Sequence, residues 1–351
     1  MMGEDDFRPA PPELAAWFAK AARTLPWRDR PAGERDPWRT LVSEVMSQQT
    51  RMEVVAPRFG EWLRRFPDAA SLAAAEEAEV LVLWAGLGYY ARARALHRLA
   101  RQVAKSGWPR DFAGLRHLPG VGPYTAAAVA SLCFGERVAA LDGNLERVLA
   151  RVHALSGNLR AGDGRWRLAR AAESWVSAGN PGLVNEASME LGALVCTPRL
   201  PRCEACPLGG ICRAGAREEA ELYPSPRARV AIVEIRQTAL VLEGTSGVLL
   251  RRAGAGELLS GLWTLPVTEE DAHALRLPES LRDLVEEAPR LLDGTVRHAI
   301  TCHRIVWRVA TARASGPSPQ GMAWFPREML PQVLVSSLPV KALRLAGVLP
   351  T

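Results

Sequence analysis

Residues 117–130 read HLPGVGPYTAAAVA, and the fold of the chain follows from how this segment is built. Gly120 and Gly122 flank a single valine, and Pro123 then opens an alanine-rich run that is typical of a helix. Glycines let backbone N–H groups approach a ligand closely, and the first turn of a helix attracts anions. The segment therefore predicts either a turn that holds a phosphate or an ordinary connection between two helices.

The composition is that of an ordinary globular protein with a slight basic excess. The chain has 351 residues, 48% of them hydrophobic, and 44 Lys and Arg against 38 Asp and Glu give a net charge of +6. This charge is compatible with a polyanionic partner and equally with a basic enzyme of another kind. Because no secretory leader is evident and no apolar run reaches the ~18 residues of a membrane span, we expect a cytoplasmic protein without a membrane partner.

The character of the sequence changes near residue 221. Upstream, segments rich in Ala, Leu and Arg alternate with Gly/Pro punctuation, which predicts an all-helical domain over residues 1–220. A proline-containing stretch over 221–231 predicts a linker. Beyond it, β-branched and partly alternating segments predict a smaller α+β domain over 232–351.

Four of the six cysteines are concentrated in one short segment. They follow the spacing C-x6-C-x2-C-x5-C, at Cys196, Cys203, Cys206 and Cys212. In a reducing compartment, clustered cysteines usually bind metal. Four thiolates suit an iron–sulfur cluster, and a structural zinc ion remains open on spacing alone.

Two acidic residues have sequence contexts that could support chemistry. Glu44 lies beside the apolar face of a helix predicted in DPWRTLVSEVMSQQT (36–50), where desolvation would raise its pKa and keep it a proton donor. The alternative is a solvated glutamate on the flank of the helix. Asp142 stands just before the helix predicted in ALDGNLERVLARV (140–152), where Asp is also a common N-cap.

These segments together resemble the helix-hairpin-helix superfamily of DNA base-excision glycosylases. The motifs LVSEVMSQQT (41–50), WAGLGYYARARALH (84–97) and ASMELGALVC (187–196) are similar to those of its adenine-specific, MutY-type family. The resemblance covers nearly the whole chain and is weakest beyond residue 267. It implies an all-α helix-hairpin-helix domain that carries a 4Fe–4S cluster loop, joined to an α+β, Nudix-like C-terminal domain.

The resemblance assigns the reaction to two carboxyl groups. Glu44 takes the place of the general acid/base that protonates adenine, and Asp142 takes that of the carboxylate that stabilises the sugar cation, with Asn144 beside it. One protonated and one ionised carboxyl group suit the two charges that develop. Tyr124 stands where endonuclease III-type relatives carry a lysine nucleophile, and we therefore predict a monofunctional hydrolase.

Further residues match positions that contact DNA in the resembled family. A glycosylase that extrudes its base needs side chains that fill the gap, which the resemblance assigns to Gln49 and Tyr89. The residues alone favour the alternative that Tyr89 is a core aromatic in a Gly-rich turn. The positions that line the adenine pocket correspond to Arg28 and Glu190.

The C-terminal segment LLRRAGAGELLSGLWTLPV (249–267) resembles the start of the family's Nudix-like domain. A Nudix phosphohydrolase needs a helix dense in glutamates, and the segment after Pro266 does not match it, so we expect recognition of 8-oxoguanine rather than nucleotide hydrolysis. In RHAITCHR (297–304), Thr301 replaces the serine of the family's Phe-Ser-His loop and can supply a hydroxyl donor. The loop's histidine is missing, and His303 lies one residue later.

The sequence thus predicts a 4Fe–4S DNA glycosylase that acts on double-stranded DNA containing adenine:8-oxoguanine or adenine:guanine mispairs. We expect a monomer associated with the nucleoid. Two alternatives remain at this point. One is an endonuclease III-like glycosylase with lyase activity toward oxidised pyrimidines, and the other is a non-catalytic iron–sulfur protein that binds DNA.

Overall fold

The computed structural model describes residues 7–226, 231–269 and 275–350, which group into two compact units. The second unit comprises Glu76–Tyr90 together with the described residues after the linker, and the first comprises the rest. The boundaries predicted from the sequence differ in assigning residues 76–90 to the first domain. Residues 227–230 of the predicted linker lie outside the described part, and the domain boundaries stay a prediction.

Helices dominate the chain up to residue 216. In order, they are α1 (Pro12–Ala21), α2 (Pro37–Ser47), α3 (Met52–Arg65), α4 (Ala69–Ala73), α5 (Glu77–Leu83), α6 (Ala91–Ser106), α7 (Phe112–Leu115), α8 (Pro123–Phe134), α9 (Gly143–Val152), α10 (Gly162–Trp175), α11 (Pro181–Leu194) and α12 (Arg213–Ala216). Of these, α5 belongs to the second unit.

Helix α8 occupies the centre of the first unit because its side chains are small. Residues 125–133 are all buried, and the helix packs against α2, α7 and α11. Gly122 is its N-cap, and Gly135 ends it in the left-handed conformation that glycine adopts without strain. Helices α2 and α11 therefore both pack against α8.

The turn between α7 and α8 confirms the predicted helix-hairpin-helix. Gly120 has φ +75°, and a Cβ atom there would lie 2.5 Å from Cβ of Ala95. Glycine is required at this position by conformation and by space. Gly122 has ordinary backbone angles, and a Cβ atom there would meet nothing within 4 Å.

The second unit contains a mixed sheet. Its strands are β1 (Val233–Gly244), β2 (Gly247–Arg252), β3 (Trp263–Thr264), β4 (Val267–Glu269), β5 (Arg290–Leu291), β6 (Val296–Ile300), β7 (His303–Arg313) and β8 (Met322–Phe325). The order along the main path is β3-β2-β1-β7-β5, with β4, β6 and β8 paired to β1, β7 and β2. Strands β1 and β7 are parallel, and the other pairs are antiparallel.

Both faces of this sheet are apolar, because successive residues of β1 point to opposite sides. Ala239 and Val241 belong to a core that includes Leu338 and Leu343, whereas Leu240 and Leu242 belong to a separate core on the other face. Besides α5, this unit contains the helices α13 (Glu279–Arg282), α14 (Leu330–Val333) and α15 (Ser337–Leu345). The expected α+β class of this unit is confirmed.

None of the helices in the described part of the chain is both long enough and apolar enough to cross a bilayer.

Replacing Gly120 by alanine is expected to lower the free energy of unfolding by about 2 kcal/mol or more. The left-handed backbone and the overlap with Ala95 both oppose the new methyl group. Gly122→Ala is the matched control and should cost less than about 1 kcal/mol. Urea unfolding followed by circular dichroism measures both, and equal stabilities of the two variants would contradict this account of Gly120.

Candidate active site

The first unit contains a cavity of about 760 Å³, a size typical of ligand sites. Most of the residues predicted to act on or recognise a nucleotide line it. These are Arg28, Glu44, Gln49, Gly120, Gly122, Tyr124, Asp142, Asn144 and Glu190. Segments that are far apart in the sequence thus converge on one cavity, and both Glu44 and Asp142 line it.

Glu44 projects from α2 into this cavity. The hydroxyl of Tyr124 donates a hydrogen bond to Glu44 Oε2 at 2.7 Å. Burial raises the pKa of Glu44 to about 7, against the opposing effects of this hydrogen bond and of Arg35, while the charges of Glu186 and Asp142 raise it further. Near neutral pH a large fraction of Glu44 is therefore protonated, as a proton donor must be.

Tyr124 lies in the first turn of α8 and is held between Glu44 and Met189. Its hydroxyl is 3.2 Å from Sδ of Met189. Burial and the nearby carboxylates raise the pKa of Tyr124 well above its ordinary value. The phenol consequently stays neutral and serves as a hydrogen-bond donor to the carboxyl group.

Asp142 is the N-cap of α9, and this local role fixes the orientation of its carboxylate. Oδ1 accepts hydrogen bonds from the backbone N–H groups of Asn144 (2.9 Å) and Leu145 (2.7 Å), and Oδ2 accepts one from the Asn144 side chain (2.8 Å). Burial raises the pKa of Asp142, and these hydrogen bonds counteract the rise. The capping and carboxylate interpretations of this residue are thus compatible.

Arg147 connects Asn144 to the cysteine segment. Its guanidinium donates to Asn144 Oδ1 (2.9 Å), to the carbonyl of Gly192 (2.7 Å) and to the carbonyl of Cys196 (2.7 Å). A Cβ atom on Gly192 would lie 2.6 Å from Cβ of Asn144, so only glycine allows this approach. The sequence analysis missed Arg147, because nothing local marks a contact that joins residues 45 to 49 positions apart.

Three arginines and two glutamates form a charged wall of the cavity. Arg23 and Arg28 both donate to Glu190, and Arg35 donates to both carboxylate oxygens of Glu186, at distances of 2.7–2.9 Å. Arg28 also donates to Glu186 at 2.8 Å. The hydrogen bonds from Arg23 and Arg28 overcome burial and lower the pKa of Glu190 to about 2.

Glu186 was missed by the sequence analysis, although it lines the same cavity. Its charge is one of the main effects that raise the pKa of Glu44. The available signal was spacing, because Glu186 and Glu190 are four residues apart on α11 and share one helix face. Arg23 and Arg35 carried no such signal.

The four clustered cysteines line a separate cavity of about 220 Å³ in the first unit. The buried Arg151 lies 3.3 Å from Sγ of Cys196, and the backbone N–H of Gly215 lies 3.3 Å from Sγ of Cys212. In the described residues, no group of three or more His, Cys, Asp or Glu side chains is arranged to hold a single metal ion. Four thiols around a cavity of this size, with N–H donors to sulfur, fit a polynuclear iron–sulfur cluster.

Two predicted DNA-contact residues lie outside the main cavity, in segments of the second unit. Tyr89 is 39% exposed, with φ +50°. Thr301 is at the tip of the β6–β7 hairpin, where its hydroxyl donates to the carbonyl of Ile300 (2.7 Å) and lies 3.4 Å from Nδ1 of His303. The alternative of a fully buried core aromatic at Tyr89 is therefore wrong.

Comparisons with known proteins agree with this geometry. Residues 42–175 match the HhH-GPD superfamily of base excision DNA repair proteins. The fold is similar to that of a thermostable thymine-DNA glycosylase, with a TM-score of 0.53 and 27% identity over 59% of this chain and 94% of that one. The helical unit with its paired carboxyl groups is accordingly that of a helix-hairpin-helix base-excision enzyme.

Relatives by sequence show which family of base-excision enzymes the chain belongs to. The chain is 32% identical to human adenine DNA glycosylase, over 94% of its own length and 72% of the human protein. It is 42% identical to the adenine DNA glycosylase of Mycolicibacterium smegmatis, over 57% of its own length and 67% of that protein. It spans 48% of the rat relative, at 39% identity. The chain belongs to the adenine DNA glycosylase family, which confirms the resemblance predicted from its motifs.

Replacing Glu190 by glutamine is expected to lower the free energy of unfolding by about 3 kcal/mol at neutral pH, because the partly buried Arg23 and Arg28 lose the counter-charge of a buried carboxylate. The pKa of Glu190 is depressed to about 2, so its stabilising effect is present above pH ~5 and is lost as the pH falls toward 2. The difference between Glu190→Gln and the wild type should shrink over the same range. Urea unfolding at several pH values measures it.

The control is Glu173→Gln, which removes an exposed ion pair with Arg170 and should change stability by less than about 1 kcal/mol. A pH-independent difference between the wild type and Glu190→Gln would show that the charge of Glu190 is not what stabilises the wall.

Proposed function

We propose that this protein hydrolyses the N-glycosidic bond of adenine mispaired with 8-oxoguanine, or with guanine, in double-stranded DNA. The observation that carries the proposal is the pair Glu44 and Asp142 in one cavity, where only Glu44 has a neutral hydroxyl as its hydrogen-bond donor. Cleavage of this bond places negative charge on the departing base and positive charge on the sugar. A protonated carboxyl group and a carboxylate meet these two needs.

In the proposed reaction the adenine is extruded from the duplex into the cavity. Glu44 donates its proton to the ring as the bond between base and sugar breaks and its electron pair leaves with the base. The Asp142 carboxylate stabilises the resulting sugar cation. Water then adds to the sugar carbon and returns a proton to Glu44, which leaves free adenine and an abasic site.

Hydrolysis without strand cleavage is proposed because the reacting position has no amine. Lyase chemistry in related enzymes needs a lysine that attacks the sugar. Tyr124 occupies that place, and the described lining of the cavity contains no lysine. The whole chain has only Lys20, Lys105 and Lys341.

The charged wall supports the base pocket in this proposal. Glu190 is already engaged by two arginines, so it acts by holding Arg28 in place. Glu186 is the carboxylate that couples electrostatically to Glu44, and we assign it, with Arg28, to the side of the pocket that receives the base. The sequence analysis had assigned Glu190 to the lining of the adenine pocket, and the proposal gives it instead the role of positioning Arg28.

The cysteine cavity is proposed to hold a 4Fe–4S cluster through Cys196, Cys203, Cys206 and Cys212. When bound, the cluster would order this segment, and no step of the hydrolysis requires it. The segment carries exposed arginines, among them Arg199 and Arg202, that suit DNA phosphates. In the second unit, Thr301 and His303 are proposed to sense 8-oxoguanine in the opposite strand.

The proposed acid role is tested by the pH dependence of adenine release in single turnover. Because the pKa of Glu44 is about 7 and the acid must be protonated, the rate should fall as the pH rises above 7. In Tyr124→Phe, loss of the hydrogen bond that lowers this pKa should move the falling limb to higher pH. Glu44→Gln should release adenine at least ~100-fold more slowly than the wild type.

Glu61→Gln, an exposed change on α3, is the control and should leave rate and profile unaltered. Near-normal turnover by Glu44→Gln would refute the acid role. A protein–DNA adduct trapped in high yield by borohydride would contradict hydrolysis without an amine nucleophile, and would favour the lyase alternative.

The cluster proposal predicts that purified protein contains iron and acid-labile sulfide in equal amounts and absorbs visible light. Cys206→Ser should lose most of this iron and absorbance, because a cluster corner loses its thiolate. Cys302→Ser changes a cysteine of the second unit and should retain both. Stoichiometric zinc in place of iron would overturn the assignment.

A further inference from the structure

Leu200 is the most exposed of the large hydrophobic side chains that the structure describes, with 84% of its surface accessible. It lies in the loop between Cys196 and Cys203. Isolated exposed leucines are common on protein surfaces and need no explanation by themselves. Leu200 does need an explanation, because its exposure coincides with an unfavourable backbone conformation.

The backbone of Leu200 is in the left-handed region, with φ +49°. This conformation costs a non-glycine residue on the order of 1 kcal/mol, and the following Pro201 restricts Leu200 further. Ala154 and Glu218 are also left-handed, but each follows a helix whose end is closed by a backbone hydrogen bond, Leu155 to Ala150 and Glu219 to Ala214. Leu200 ends no helix.

The loop is nevertheless held firmly. The buried Arg151 donates to the carbonyls of Thr197 (2.7 Å) and Pro198 (3.1 Å), and the Thr197 hydroxyl donates to the carbonyl of Arg199 (2.9 Å). The N–H of Leu200 itself donates to the carboxylate of Glu221 at 2.6 Å. A surface residue that the fold holds in a strained conformation suggests a function outside the fold.

We infer that Leu200 packs against the deoxyribose face of the DNA duplex, between phosphates that Arg199 and Arg202 contact. The inference rests on the proposed function, which makes DNA the bound partner. Both arginines are exposed: Arg199 directly precedes Leu200, and Arg202 follows Pro201. The guanidinium of Arg202 also donates a hydrogen bond to the carbonyl of Leu194. An apolar side chain between two charged residues suits a backbone in which sugars alternate with phosphates, whereas one leucine amid arginines is too small a patch for a protein interface.

The experiment measures binding of the full-length protein to a duplex that carries a tetrahydrofuran abasic analogue opposite 8-oxoguanine, so that no turnover occurs. Leu200→Gly should bind about 3- to 10-fold more weakly, because apolar contact is lost. The dependence of log Kd on log salt should keep its slope, since no phosphate contact is removed. Arg199→Ala should instead reduce that slope by about one.

Leu222→Ala is the matched control, because Leu222 is 63% exposed in the same unit and has no left-handed backbone. It should bind like the wild type. Thermal unfolding of Leu200→Gly should show no loss of stability, since glycine relieves the strain. Weaker binding therefore cannot be assigned to misfolding.

Unchanged affinity of Leu200→Gly, or an equal loss in Leu222→Ala, would overturn the inference. Self-association of the wild type that disappears in Leu200→Gly, with DNA affinity unchanged, would show that Leu200 contacts a second copy of the chain. That result would also overturn the inference. Adenine release by the wild type is measured separately. Failure of the proposed function would appear there, whereas failure of this inference appears in duplex binding alone.

Discussion

The proposed reaction depends on keeping two carboxyl groups of one cavity in different protonation states. Burial raises the pKa of both Glu44 and Asp142, so burial alone cannot distinguish them. The difference lies in their donors, because Glu44 receives one hydrogen bond from a neutral phenol while Asp142 receives three N–H hydrogen bonds. N–H donors favour the ionised form of a carboxyl group. The N-terminus of helix α9 thus favours the ionised form of Asp142, which the proposed reaction requires.

Neighbouring charges also affect whether Glu44 stays protonated. Three arginines stand close to the cavity, and a free guanidinium beside Glu44 would ionise it. Arg23 and Arg28 are bound by Glu190, and Arg35 is bound at both nitrogens by Glu186. The remaining effect of Arg35 on Glu44 is smaller than those of burial, Tyr124, Glu186 and Asp142. The two glutamates of α11 therefore preserve a protonated acid within an arginine-rich wall.

Features that depend on local sequence were predictable, and those that depend on distant contacts were not. The hairpin at Gly120, the helix that carries Glu44 and the capping role of Asp142 follow from spacing, propensity and turn chemistry. Arg147 and Glu186 look like ordinary helix-surface residues until the fold brings α9 and α11 together. The grouping of residues 76–90 with the second unit likewise has no local signature. Long-range convergence is the information that a single sequence lacks.

A path of hydrogen bonds connects the cysteine segment to the carboxylate of Asp142. Asp142 is bound by Asn144, Asn144 by Arg147, and Arg147 by the carbonyl of Cys196. Residues 197–212 contain only short 3₁₀ turns and few buried side chains, so packing provides little of their order. Whatever fixes the thiols therefore also fixes the carbonyl that Arg147 binds. The proposed iron–sulfur cluster would thus help to set the geometry of the Asp142 carboxylate without entering the proposed reaction.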